Sequence, residues 1–414
     1  MKSWITYLTS LFLALATALL LGDTTWILPL LYGLSDVAVN VGSLMALVMV
    51  ALSTSSAVAS LRKDRMGGQV VSSSILWALF TAILLPLFAA LVAAAFPVAF
   101  PVSTTAGTGS VSDTYLQSVF SGSWSLVASG NLAYYLTAAG DSLLPVIILA
   151  LVLGVALKPS SDIIKPAYIT INSLSEVCYR IARGLSNFGY ILVYFTSALF
   201  FTYIYQEKTF FVDAAFSTML VVTPIGLSFV LLPVIFEAFT RGKKNPYKIL
   251  YRNTASQLTA LTSGSYIASM PYIMAGERIN DGVQKRIAST TSPLYYIIGH
   301  GGSAAVATFS LIAVIANVTG APVQLSVCVA IALAATVCSF ASSLSNGFEV
   351  MFITIAILRL LNIELYSAEV TMLGILPLLS GLGAIMDSQI AILGANMTAF
   401  KAGVDITPSY KDIL

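Results

Sequence analysis

Read as blocks of apolar and polar positions, the chain opens with six hydrophobic runs, near residues 4–22, 35–60, 69–98, 142–158, 185–205 and 213–238. About 20 apolar residues in a helix cross a hydrocarbon layer, so each run predicts a membrane span. The separators carry the topology. Arg62, Lys63 and Arg65 follow the second run, Lys158, Lys165, Arg180 and Arg183 the fourth, and Arg241, Lys243, Lys244, Lys248 and Arg252 the sixth, whereas 101–140 has no Lys or Arg. Basic residues gather on the cytoplasmic side. Both termini are therefore expected in the cytoplasm, with the Ser-, Thr- and Gly-rich stretch 101–140 an external insertion. The first run follows Lys2 and has the length of a signal peptide, but no cleavage pattern leads into a soluble domain, so it reads as the first span.

Beyond residue 252 the pattern changes. Segments 253–285 and 322–361 are apolar but broken by TALTSGSYIASMP and SFASSLSNGFE. Broken backbone at membrane depth persists only where it is buried in protein or lines a cavity. Two such segments in corresponding positions predict a pair of re-entrant hairpins around a transporter's binding site. The bland alternative is two kinked spans whose Gly and Ser pack helices together.

Composition narrows the class. Of 414 residues, 57% are hydrophobic and 9% charged, against roughly a quarter charged in soluble domains. A net charge of +2 offers no basic face for nucleic acid. Cys178, Cys328 and Cys338 form no CxxC pair, and His300 is the single histidine, so neither a disulfide framework nor a zinc site is indicated. No nucleophile, base and orienter constellation is visible, which argues against an enzyme, and no cofactor is expected.

The order and spacing of these pieces resemble the glutamate-transporter-like family of dicarboxylate/amino acid:cation symporters over nearly the whole chain. The matching features are LLPVIILALVLGVAL at 143–157, TSGSYIASMP ending in Pro271, PLYYIIGHGGSAAV at 293–306 and SFASSLSNG at 339–347. The resemblance implies an all-α integral membrane protein with eight transmembrane helices, two re-entrant hairpins and an elevator-type transporter fold, assembled as a homotrimer in the plasma (cytoplasmic) membrane. Residues 1–66 and 101–210 would form the trimerising scaffold. Residues 67–100 and 211–414, with hairpins near 253–285 and 322–361, would form the transport part that slides across the bilayer with its solute.

The same resemblance supplies candidate residues. Where the family carries Asn-Met-Asp-Gly-Thr, this chain has Gly299-His300-Gly301-Gly302-Ser303, so the frame is kept and the sodium-ligating side chains are gone. In the last helix, one register puts Asp387 on the family's amine-binding Asp. Ile390 then replaces the Arg that clamps acidic substrates, and Gly394 and Thr398 stand where an Asn and a final Asp are expected. With no insertion, Asp387 falls on the Arg position itself, and Asn396-Met397-Thr398 offers a third local match. The first two argue against glutamate or aspartate as preferred substrates.

Physical argument adds to this list. Ionisable groups at membrane depth are functional candidates by default, which singles out Asp387 and Glu349, while Arg359, Glu364 and Glu369 read as interfacial. The bland readings are a helix-joining carboxylate for Asp387 and a helix N-terminal one for Glu349. Ser265, Tyr266, Ser343, Ser345 and Asn346 at the hairpin tips, with Ser303, offer hydroxyls and amides to a carboxylate-bearing solute. Gly299, Gly301 and the segment Ser339 to Ser342 leave mainly backbone carbonyls for a cation. His300, titrating near neutrality, offers a proton in place of sodium, or merely a hydrogen bond to a carbonyl. The leading expectation is symport of a small solute, a neutral or amine-bearing amino acid, coupled to Na+ or H+. An ordinary sodium-coupled dicarboxylate symporter and an uncoupled channel or receptor on the same fold are the alternatives.

Overall fold

The computed structural model describes residues 3–24, 26–98, 142–206, 214–361, 372 and 375–404. The insertion 101–140, Glu364 and Glu369 lie outside them. No strand is found among the described residues, and six helices are long and apolar enough to cross a membrane.

The first half supplies α1 (Ser3–Leu21), α2 (Ile27–Lys63), α3 (Gly67–Ala95), α4 (Leu144–Ala156), α5 (Lys165–Gln206) and α6 (Ala214–Gly226), which passes through a π turn at Leu227–Leu231 into α7 (Leu232–Thr240). These match the six runs, with one difference: α5 begins about 20 residues before the fifth run. Its first half carries Glu176, Arg180 and Arg183, which interrupt hydropathy but not helix propensity, so the helix continues as an amphipathic stretch.

The second half consists of shorter pieces. Asn245 caps α8 (Pro246–Arg252), its side chain accepting from Lys248 N–H at 3.1 Å. The first interrupted segment is α9 (Thr254–Ser263) and α10 (Tyr266–Ile279), packed on each other and joined at Gly264, whose φ of +62° is the left-handed value that ends a helix. Then come α11 (Lys285–Ile298) and α12 (Gly301–Thr319), separated only by Gly299 and His300. The second interrupted segment is α13 (Leu325–Ser339), a short 3₁₀ turn at Ser342–Leu344 and α14 (Glu349–Leu360), followed by α15 (Leu376–Lys401).

Contacts sort these helices into two groups. Helices α1, α2, α4 and α5 pack together, while α3 packs on α12 and α13, and α15 on α9, α11 and α12. The groups meet where α2 and α5 run along α9, α10 and α11. Trp77 of α3 anchors the second group, donating to the Ile390 carbonyl at 2.9 Å and meeting Phe236 and Phe239 of α7 edge-on. Large apolar side chains such as Phe12, Leu20, Val37, Val152 and Phe188 stay exposed on the first group, as faces turned to lipid require.

Candidate functional site

The break between α11 and α12 leaves the first amides of α12 without intrahelical partners. Asp387 of α15 fills that role from 85 residues away: its Oδ1 accepts from Gly302 N–H at 2.8 Å and Ser303 N–H at 3.2 Å, and its Oδ2 from Ser303 Oγ at 2.6 Å. Only a glycine fits at 302, because a Cβ there would run into Met386 and come within 2.9 Å of the Asp387 backbone nitrogen. The carboxylate is 3% exposed and sits at the positive end of the helix dipole.

His300 completes the arrangement. Its Nε2 lies 2.7 Å from the Tyr296 carbonyl and its Nδ1 3.2 Å from Asp387 Oδ2. A carbonyl can only accept, so Nε2 carries a hydrogen. The second contact then requires either a hydrogen on Nδ1, making an imidazolium, or one on Asp387. In both cases the pair holds one proton more than a neutral imidazole beside a carboxylate. Glu349, 4% exposed in the first turn of α14, lies within electrostatic reach of both partners, and its Oε1 makes no hydrogen bond among the described residues.

An aromatic column links this cluster to the tips. The Tyr266 and Tyr296 rings stack at 6.2 Å, and Tyr296 meets His300 edge-on at 5.9 Å. Tyr296 Oη donates to the Ser343 carbonyl at 2.6 Å, and Ser142 Oγ donates to the same oxygen at 3.1 Å. The tips themselves touch. Ser265 Oγ donates to Asn346 Oδ1, and Ser380 Oγ to the Gly347 carbonyl, each at 2.8 Å. Beside them a cavity of about 540 Å³ opens toward α2 and α5, lined by Tyr32, Ser35, Phe200, Ser263, Gly264, Gly347, Phe348 and Ser380 among others, with no Asp, Glu, Lys, Arg or His among the described residues of its wall.

This geometry meets an independent finding: the profile of the sodium:dicarboxylate symporter family matches residues 7–402. The chain belongs to that family. A search of curated proteins finds no match to it. Membership makes the chain a symporter-type membrane transporter and points away from an enzyme.

Of the residues picked from the symporter's sequence, His300, Gly301, Ser303, Asp387 and Glu349 converge at the α12 N-terminus, and Ser265, Tyr266, Ser343 and Asn346 converge at the tips, with Ser345 between them. The remaining ones stand apart. Ile390 turns its carbonyl to Trp77, Gly394 lies against Tyr295 and Trp77, and Thr398 Oγ1 is 3.2 Å from Ser74 Oγ, all on the α3 side of α15. Gly299 closes α11, donating to the Tyr295 carbonyl at 2.7 Å. Ser339 Oγ donates to the Thr336 carbonyl and Ser342 Oγ to the Ser339 carbonyl, which ties both hydroxyls to backbone.

Sequence reasoning missed two buried carboxylates. Glu277 and Asp281, 0% and 4% exposed, sit in GERINDG, which has the look of a charged loop. Helix α10 runs through Ile279 and is buried all round from Tyr266 to Glu277, so no alternation of exposed and buried positions marks Glu277 out. Asp281 Oδ2 accepts from Asn253 Nδ2 at 2.7 Å and Asn396 Nδ2 at 2.9 Å.

Proposed function

We propose that the protein is an elevator-type carrier of a small neutral solute of the amino acid class, working as a homotrimer in the plasma membrane with both termini in the cytoplasm. Its scaffold is α1, α2, α4 and α5 and its transport part the remaining helices, with α9/α10 and α13/α14 as re-entrant hairpins among eight transmembrane helices; the two contact groups support this division. The observation that carries the substrate reading is the wall of the cavity at the tips, which carries no charge among the described residues. A dicarboxylate entering it would leave its charges without a partner, and burying unpaired charge costs several kcal/mol. Asp387 is already engaged by α12, so an amine-bearing solute would have to displace bonds that a neutral one leaves intact.

Coupling to protons rather than sodium fits the same residues. A hard cation wants several oxygen ligands, and Gly299 and Gly301 bring no side-chain oxygen. The His300–Asp387 pair holds a proton by its hydrogen-bond geometry. Uptake into proteoliposomes with sodium replaced by choline, followed by a pH titration in wild type and His300→Gln, tests this. Proton-driven uptake of a neutral amino acid that survives choline, is abolished by a protonophore and has a reduced pH dependence in His300→Gln is expected. Steep sodium dependence with no pH dependence, or tight glutamate binding, refutes it, and equilibration without concentration would mark a channel or receptor.

A further inference from the structure

We propose that Glu277 is a proton-binding site of this carrier, holding its proton while α10 and α11 lie closed against α5 and releasing it when that contact opens. Release rests on the carrier reading above; the protonated state does not.

The first argument is a count of hydrogens. Ser292 Oγ lies 2.9 Å from Glu277 Oε2 and 3.0 Å from the Ala288 carbonyl, and a hydroxyl has one hydrogen for these two acceptors. With Glu277 protonated the chain closes: Oε2–H donates to Ser292 Oγ, and Ser292 donates to Ala288. The second argument is burial. Glu277 is 0% exposed, and its Oε1 makes no hydrogen bond among the described residues. An ionised carboxylate there would be a buried, unpaired charge, placed in the last turn of α10 where the helix dipole opposes an anion.

The neighbours leave that charge uncompensated. Facing Glu277 are Tyr179 from α5, Tyr266 on its own helix, Tyr295 from α11, and Asp281 one turn on. The nearby cations are committed elsewhere. Arg278 pairs with Glu176 at 2.8 Å and lies over the Tyr179 ring, Lys285 reaches Glu176 at 3.1 Å, and Arg252 donates to the Asn280 carbonyl at 3.2 Å. Asn253, the residue before α9, and Asn396 of α15 both place their amides on Asp281.

The seam beside Glu277 is the one a sliding transport part would open. Tyr179 Oη of α5 lies 2.8 Å from Ser289 Oγ of α11, and Thr54 Oγ1 of α2 donates to the Ser289 carbonyl at 2.9 Å. Once these contacts part, the O–H bond at Oε2 can break. The electron pair stays on the carboxylate and the proton passes to water entering the seam.

The test uses the full chain in proteoliposomes. Infrared spectra at neutral pH should show a protonated-carboxyl C=O band that disappears in Glu277→Gln, an isostere that still donates to Ser292, and that shifts in Ser292→Ala. Accumulation by wild type should change about tenfold per unit of imposed pH gradient for each coupled proton, and Glu277→Gln should lose one proton's share of this dependence. Absence of the band overturns the proposal. A band accompanied by unchanged pH dependence in Glu277→Gln makes the proton purely structural and overturns the release step. If wild type fails to transport any amino acid, the carrier reading falls with the release step, while the band still decides whether Glu277 is protonated.

Discussion

Replacing Asp387 by Asn removes the charge that joins α15 to the α12 N-terminus. The carboxylate receives three hydrogen bonds from Gly302 and Ser303 and faces His300 Nδ1 at 3.2 Å. Asparagine keeps one oxygen, enough for the two backbone amides, but presents an NH₂ group to Ser303 Oγ and His300. Two bonds to a charged acceptor are worth about 1.5–3 kcal/mol each, and the helix-dipole term adds about 0.3–1 kcal/mol. The new amide recovers part of this by donating to Ser303 Oγ, which leaves a loss of about 3 kcal/mol. The assay is the unfolding midpoint in detergent of wild type, Asp387→Asn, His300→Gln and the double variant. Because the two side chains share a proton, the double variant should fall short of additivity by about 1–3 kcal/mol. A loss under about 0.5 kcal/mol for Asp387→Asn, or strict additivity, would refute the shared-proton geometry.

Two further outcomes are expected. Gly302→Ala forces a Cβ into Met386 and the Asp387 backbone, so it should cost about 3 kcal/mol and abolish uptake, read as lost thermal stability together with lost transport. Glu176→Gln removes the negative charge and one of the two oxygens shared by Arg278 and Lys285 across the seam between α5 and α10/α11. Glu176 is 40% exposed, so the effect on stability should stay below about 1 kcal/mol, while disulfide trapping between α5 and α11 should slow as the seam opens more often.

Most of the fold was legible because hydrocarbon leaves so few options. The six runs, the two breaks at Gly264 and at Ser342–Gly347, and the family frame around His300 each follow from local pattern. The length of α5 did not, since hydropathy stops at Arg183 although the helix does not. The site was half legible. His300, Ser303 and Asp387 were picked as separate candidates, yet which groups Asp387 serves depends on packing between helices 85 residues apart. Ile390, Gly394 and Thr398 were chosen by register and turn to α3, a matter of helix rotation that no local pattern records. Glu277 escaped because a carboxylate flanked by Arg278 and Asp281 resembles a solvated loop, and only the packing of neighbouring helices around α10, buried all round from Tyr266 to Glu277, covers it.

The tips are fastened unequally. Freeing the first breaks the bond from Ser265 to Asn346, the bond from Thr196 Oγ1 to Thr262 Oγ1 and the bond from Tyr266 Oη to the Ser292 carbonyl. Freeing the second breaks the first of these and also the bonds from Ser380 to Gly347 and from Tyr296 and Ser142 to Ser343. At about 1 kcal/mol of net worth per bond, the odds against parting are roughly a hundred and sixty to one for the first tip and roughly a thousand to one for the second. The molecule therefore behaves as a door with one leaf latched and one leaf bolted, and a solute that bridges the tips would change which leaf moves.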